Sequence, residues 1–169
     1  FLQLCTDHLD VVVLHRAAHR TAWGGDVWRL LLDQRANGRI GRLGVSVQTP
    51  AEVLDLIEDH NVRHVQLPTN IVDWRWDAAA AALSKRPDIV VHGRSAYLQG
   101  LLVSGDSSLW PRLKAVQPES VLSALAELAT NMHCDGIDDL CVRYVRGLSW
   151  VDGLVLGMET QDQLVRNLD

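Results

Sequence analysis

The chain has 169 residues, 47% of them apolar and 22% charged, with 16 Lys and Arg against 21 Asp and Glu for a formal net charge of −5. That composition suits a globular domain with a sizeable core and argues against a disordered chain. A pI near 5.7 and scattered arginines leave no basic footprint for nucleic acid, and no apolar run reaches the roughly 20 residues that span a bilayer.

The amino terminus lacks a basic segment followed by an apolar one, so the cytoplasm is the expected compartment. Cys5, Cys134 and Cys141 are odd in number and show no CxxC spacing. They are expected to be reduced, structural thiols rather than a disulfide framework or a zinc knuckle. The sequence begins with Phe1, and FLQLCTDHLD reads as the last turns of a helix running into a strand. That predicts a piece of a longer polypeptide.

Five apolar, β-branched runs follow in order, each with a small or polar residue at or next to its end: VVVLH (11–15), RLGVS (42–46), RHVQL (63–67), IVVHGRS (89–95) and DGLVLG (152–157). Helical stretches alternate with them. Asp26 is the expected N-cap of the first, VWRLLLDQRANG, which Gly38 closes. Thr49, Pro50 and Glu52 form an N-terminal signature for AEVLDLIEDH. An alanine-rich helix starts at Asp77 and stops before Pro87, helices are predicted over 118–131 and 137–148, and ETQDQLVRNL ends the chain. Strands alternating with helices build right-handed βαβ units around a parallel sheet, here in one continuous domain over residues 1–169. Ligands in such folds sit at the carboxyl ends of the strands.

Those ends carry the candidate residues. His15 can hydrogen-bond a carbonyl oxygen or relay a proton, or simply cap its strand. Its i,i+4 partner His19 has no HExxH context, so no metal site is expected. His8, His60, His64 and His133 read as surface residues in helix ends or loops. Ser46 and Gln66 occupy equivalent places on adjacent strands and can converge on one amide or carboxylate, or close a barrel layer. Arg94 can stack on a flat ring or pair with phosphate, with Asp73 as a structural alternative partner. Trp28 and Trp150 lie on apolar patterns and are expected in the core, whereas Trp23, Trp74 and Trp76 fall in strand-end loops and are candidates for a substrate pocket. The last helix opens after Gly157, a ready anion site, although Glu159 repels phosphate there. No GxGxxG follows a strand and no GxSxG occurs, which argues against a Rossmann domain.

Taken in order, these segments resemble the carboxyl-terminal part of the aldo-keto reductase family. DVVVLHR is similar to the family's fourth strand, RIGRLGVSV to the fifth and HVQLPTNIVD to the sixth. RSAYLQGLL is similar to the seventh strand and its loop, and GLVLGMETQDQLVRNL to the eighth strand and cofactor helix. The resemblance implies a (β/α)8 TIM barrel, incomplete here at about five βα units, that reduces an aldehyde or ketone to an alcohol with NADP(H) or NAD(H) and no metal. His15 would then polarise the substrate carbonyl, while Ser46 and Gln66 would hold the nicotinamide carboxamide. Arg94 takes the place of an aromatic ring stacked on the nicotinamide. Ser95, Leu98 and Gly100 would follow the pyrophosphate, and Gly157, Thr160, Gln163 and Asn167 would grip the adenosine.

Departures carry expectations too. Val47 stands where many members have Asn, and Glu159 where a small or basic residue flanks the 2′-phosphate, which leaves the choice between NADP and NAD open. The family's tyrosine acid, its lysine and the paired aspartate come from earlier strand ends, and neither Tyr97 nor Tyr144 matches the tyrosine motif. The chain alone is therefore expected to be inactive, with a small-molecule carbonyl as substrate and an amino-terminal segment as its complementing partner. The alternatives are a non-catalytic subunit of the same fold, binding a nucleotide or a partner, and a metal-dependent hydrolase barrel, for which only His15 is a clear strand-end ligand.

Overall fold

A computed structural model describes residues 5–111 and 116–168. The first four residues of the expected helix end lie outside it. Among the described residues five strands, β1 (Leu9–Leu14), β2 (Ile40–Ser46), β3 (Val62–Pro68), β4 (Val90–Arg94) and β5 (Gly153–Val155), pair in the order of the sequence, every pair parallel. Six α-helices among the described residues accompany them: α1 (Asp26–Ala36), α2 (Pro50–Leu56), α3 (Asp77–Leu83), α4 (Pro118–Asn131), α5 (Ile137–Arg146) and α6 (Gln161–Leu168).

Local chemistry accounts for the boundaries. Thr49 Oγ1 accepts from the Glu52 amide at 3.3 Å while Glu52 Oε2 accepts from the Thr49 amide at 3.0 Å, a reciprocal cap that starts α2. Pro50 and Pro118 sit in the first turns of α2 and α4, where a missing N–H costs nothing. The N-cap of α1 is Gly25, in a left-handed conformation, and Asp26 is the first helical residue rather than the cap. Its carboxylate there complements the helix dipole.

The alternation of β-strand side chains divides the sheet into two faces. Leu43, Val45, Val47, Val65, Leu67 and Val91 are buried toward the helices, against Trp28, Val53, Leu56 and Leu83. Each such side chain contributes about 1.5–3 kcal/mol of burial free energy. A second cluster of Leu102, Leu125, Ala129, Leu140 and Cys141 seats the loop after β4 on α4 and α5. Burial pushes the Cys141 thiol up to about 11, which keeps it a thiol at neutral pH. None of Cys5, Cys134 and Cys141 forms a disulfide with a described residue.

The opposite face is polar. Register places Gly44 beside His64, Ser46 beside Gln66, Gln66 beside His92 and Pro68 beside Arg94. A parallel sheet whose helices cover one face and whose other face carries these groups is the arc of a β/α barrel, with the polar face as its interior. Among the described residues no helix is long and apolar enough to cross a membrane.

Candidate functional site at the carboxyl ends of the strands

The rim of the arc is built by strand register. Leu14 pairs with Val45, so His15, the next residue, emerges exposed at the end of β1 beside Ser46. Ser46 and Gln66 are direct neighbours across β2 and β3, Ser46 only 5% exposed and Gln66 half-buried. Neither side chain hydrogen-bonds another described residue. They are a hydroxyl and an amide held side by side with their polar atoms uncommitted.

Arg94 leaves the end of β4 and reaches past β3 to the end of β2, where Nη2 donates to the Val47 carbonyl at 3.1 Å and Nη1 to Ser95 Oγ at 3.3 Å. Asp73 is not its partner; that carboxylate accepts instead from Arg75 and from Trp76 Nε1 at 3.1 Å. The Val47 side chain turns into the helix-side core, and only its carbonyl serves the rim.

One layer below lies a feature absent from the sequence reading. His64 is not a surface residue: it belongs to β3, is 4% exposed and meets the His92 ring edge-on at a centroid separation of 4.4 Å. Glycine makes the room on both sides. A Cβ on Gly44 would stand 2.6 Å from the His64 carbonyl oxygen, and one on Gly153 would stand 2.9 Å from the His92 ring. His64 Nδ1 has no hydrogen-bond partner. Burial, with the positive fields of His92 and Arg42 and against the pull of Asp152, lowers the His64 pKa to about 4. The signal in the sequence was the period-2 spacing of His64 and Gln66, which puts both on one face.

Beyond Arg94 a cleft of about 1140 Å³ runs between the loop after β4 and the start of α6. Arg94, Ser95, Gly100, Gly157, Gln163 and Asn167 all line it. Three non-glycine residues of its loop, Ser95, Leu98 and Gln99, have φ of 61°, 48° and 57°. That concentration of left-handed backbone is uncommon and clusters at ligand sites. Tyr97 donates its hydroxyl to Asn167 Oδ1 at 2.9 Å and so ties loop to helix.

The start of α6 is already capped. Gln163 N donates to Thr160 Oγ1 at 3.2 Å, while Gln163 Oε1 accepts from the amides of Glu159 at 2.6 Å and Thr160 at 3.3 Å. Thr160 therefore serves the helix and does not line the cleft. Leu98 likewise packs on the α4–α5 cluster.

The three loop tryptophans part company. Trp76 is 3% exposed and belongs to the helix-side core under α3, which removes it from any pocket wall. Its indole NH spans to Asp73, so its loop position disguised a buried ring. Trp23 and Trp74 are 66% and 81% exposed, the first against the His19 ring at 5.6 Å. Arg20, paired with Asp59 at 3.5 Å and Asp55 at 3.9 Å, pins the Trp23 loop to α2. Among the described residues no group of three or more His, Cys, Asp or Glu is placed to hold a metal ion.

The arc of parallel strands with its helices is a fold shared with known proteins. An aldo-keto reductase of Bacillus halodurans in its holo form superposes with a TM-score of 0.81 at 18% identity, covering 99% of this chain and 54% of that one. The glycerol dehydrogenase of Gluconobacter oxydans gives 0.69 at 19% identity, over 99% of this chain and 59% of that one. An aldo-keto reductase from a Medee basin deep-sea metagenome library gives 0.70 at 16%, over 99% and 55%. The chain thus spans little more than half the length of these structures. A search of curated proteins by sequence finds no match. The Aldo/keto reductase family profile matches residues 2–169, nearly the whole sequence. With the five parallel strands forming part of its barrel, this chain belongs to the aldo/keto reductase family.

Proposed function

We propose that this chain is the cofactor-gripping, carboxyl-terminal portion of an NAD(P)H-dependent reductase that converts an aldehyde or ketone to an alcohol. The observation that carries the reading is the continuity of the rim with the cleft. Ser46 and Gln66 offer uncommitted polar atoms at one end, and Arg94, Ser95, Gly100, Gly157, Gln163 and Asn167 line the groove that leads away from them.

The donor set fits a dinucleotide. A carboxamide needs both donors and acceptors in one small space, which a hydroxyl beside a primary amide provides. The cleft beyond, of about 1140 Å³, is in the size range of a large cofactor site. The cofactor would supply the hydride. Ser46 and Gln66 would fix the carboxamide, and His15, exposed at the end of β1, would donate a ring N–H to the substrate carbonyl oxygen. Trp23 and Trp74 are candidates for the apolar wall near that substrate. Glu159 and Asp138 put two carboxylates on the cleft against one described lining cation, Arg94. Such a lining disfavours an added 2′-phosphate, so NAD(H) is the preferred cofactor in this reading.

The proton for the product alkoxide must come from another group. General acid catalysis contributes typically 10²- to 10⁴-fold, and neither tyrosine stands at the rim: Tyr97 serves Asn167 and Tyr144 lies in α5. The chain by itself is therefore inactive in this reading, and a segment carrying a tyrosine and a lysine at strand ends completes the site beside β1. The test follows oxidation of NADH and NADPH with an aldehyde panel, first with the 169-residue chain and then with the natural polypeptide that includes its upstream sequence. Turnover is expected only from the second. Turnover by the chain alone, or no cofactor binding by either, overturns the proposal.

A further inference from the structure

Among the described residues Arg94 has no carboxylate partner, in contrast to six other arginines of the molecule. Arg20, Arg29, Arg63, Arg75, Arg86 and Arg143 each pair with an aspartate. Among the described residues Arg94, half-buried, hydrogen-bonds the Val47 carbonyl and the Ser95 hydroxyl. Asp138 and Glu159 line the same cleft without forming an ion pair with it. Burial lowers its pKa, and no anion opposes that shift. Because the side chain reaches from β4 past β3 to β2, the guanidinium lies at the edge of the Ser46 and Gln66 pair.

We propose that Arg94 makes this site hold a neutral dihydronicotinamide more tightly than the cationic oxidised ring, and so biases the redox state of the bound cofactor. The inference rests on the cofactor reading above. Giving up a hydride, one proton with two electrons, turns the neutral ring into a pyridinium cation. The carbonyl takes that hydride at carbon and a proton at oxygen and becomes the alcohol. Only the ring charge changes, since the pyrophosphate and both riboses are the same in the two forms. Two positive charges a few ångströms apart at the partly solvated edge of a protein repel enough to shift binding by roughly 10- to 100-fold.

The test is calorimetric titration of NADH, NAD⁺ and ADP-ribose into the natural polypeptide that carries this chain, as wild type, Arg94→Gln and Arg94→Lys. Wild type should bind NADH roughly 10- to 100-fold more tightly than NAD⁺. Arg94→Gln should bring the ratio within about threefold of unity, Arg94→Lys should keep most of it, and ADP-ribose should bind all three alike. An equal preference in wild type and Arg94→Gln overturns the proposal. A wild-type ratio near one overturns it without any variant. Failure of ADP-ribose to bind wild type overturns instead the cofactor reading on which it rests.

Discussion

Acidification should destabilise this protein through His64. Its imidazole is 4% exposed, lies edge-on to His92 and is titrated in a setting that holds its pKa near 4 rather than 6.5. The groups facing it are His92 from β4, Arg42 from β2 and Asp152 before β5, the first two raising the cost of its charge and the third lowering it. Between pH 6.5 and 4 the unfolded chain binds a proton at this residue that the folded chain refuses. The stabilising contribution is therefore complete above pH 6.5 and is lost as pH falls through that window. A gap of 2.5 units, 6.5 less 4, corresponds to about 3 kcal/mol at roughly 1.4 kcal/mol per unit. That is a large share of the roughly 5–15 kcal/mol that holds most domains folded. The assay is urea unfolding of the natural polypeptide at several pH values from about 7 to 4.5, for wild type and His64→Gln. Carboxylates titrate in both, so the difference between the two isolates His64. Wild type should lose stability more steeply than His64→Gln by about 1 kcal/mol per pH unit below pH 6. Parallel pH dependences would refute the buried neutral imidazole.

Two further substitutions probe the same architecture. Gly44→Ala places a Cβ 2.6 Å from the His64 backbone carbonyl, where rigid main chain must move, and should cost about 2 kcal/mol by denaturant unfolding; an unchanged midpoint would show that the β2–β3 contact is looser. Glu159→Arg exchanges a carboxylate on the cleft for a guanidinium and should raise affinity for NADP relative to NAD roughly tenfold or more, with the gain shrinking at high salt. A ratio unmoved while both nucleotides bind would place the 2′ position away from α6.

Much of the fold was legible because its signals are local. The strand runs, the Thr49 and Glu52 reciprocal cap and the Pro118 helix start each depend on residues within one turn of one another. The predicted 118–131 helix matches α4 at both ends. The Asp26 side chain suits a cap, but Gly25 takes the left-handed backbone that the turn requires and Asp26 falls inside the helix. Trp76 lies in the core although its loop position suggests a pocket, because a short loop can bend a ring back into the core as readily as into a pocket.

The order of strands and helices, the rim positions of His15, Ser46, Gln66 and Arg94, and the family itself were determined by the sequence, since side-chain type at the end of each buried run is a one-dimensional pattern. Tertiary structure alone decided what those groups face. Register between strands distant in sequence set His64 against His92 between two glycines. The packing of loops and helices on that sheet carried Arg94 to the Val47 carbonyl with no described carboxylate paired to it, and joined Tyr97 to Asn167 across 70 residues. Burial and electrostatic compensation are properties of neighbours in space, and no spacing along one chain specifies which strands will supply them.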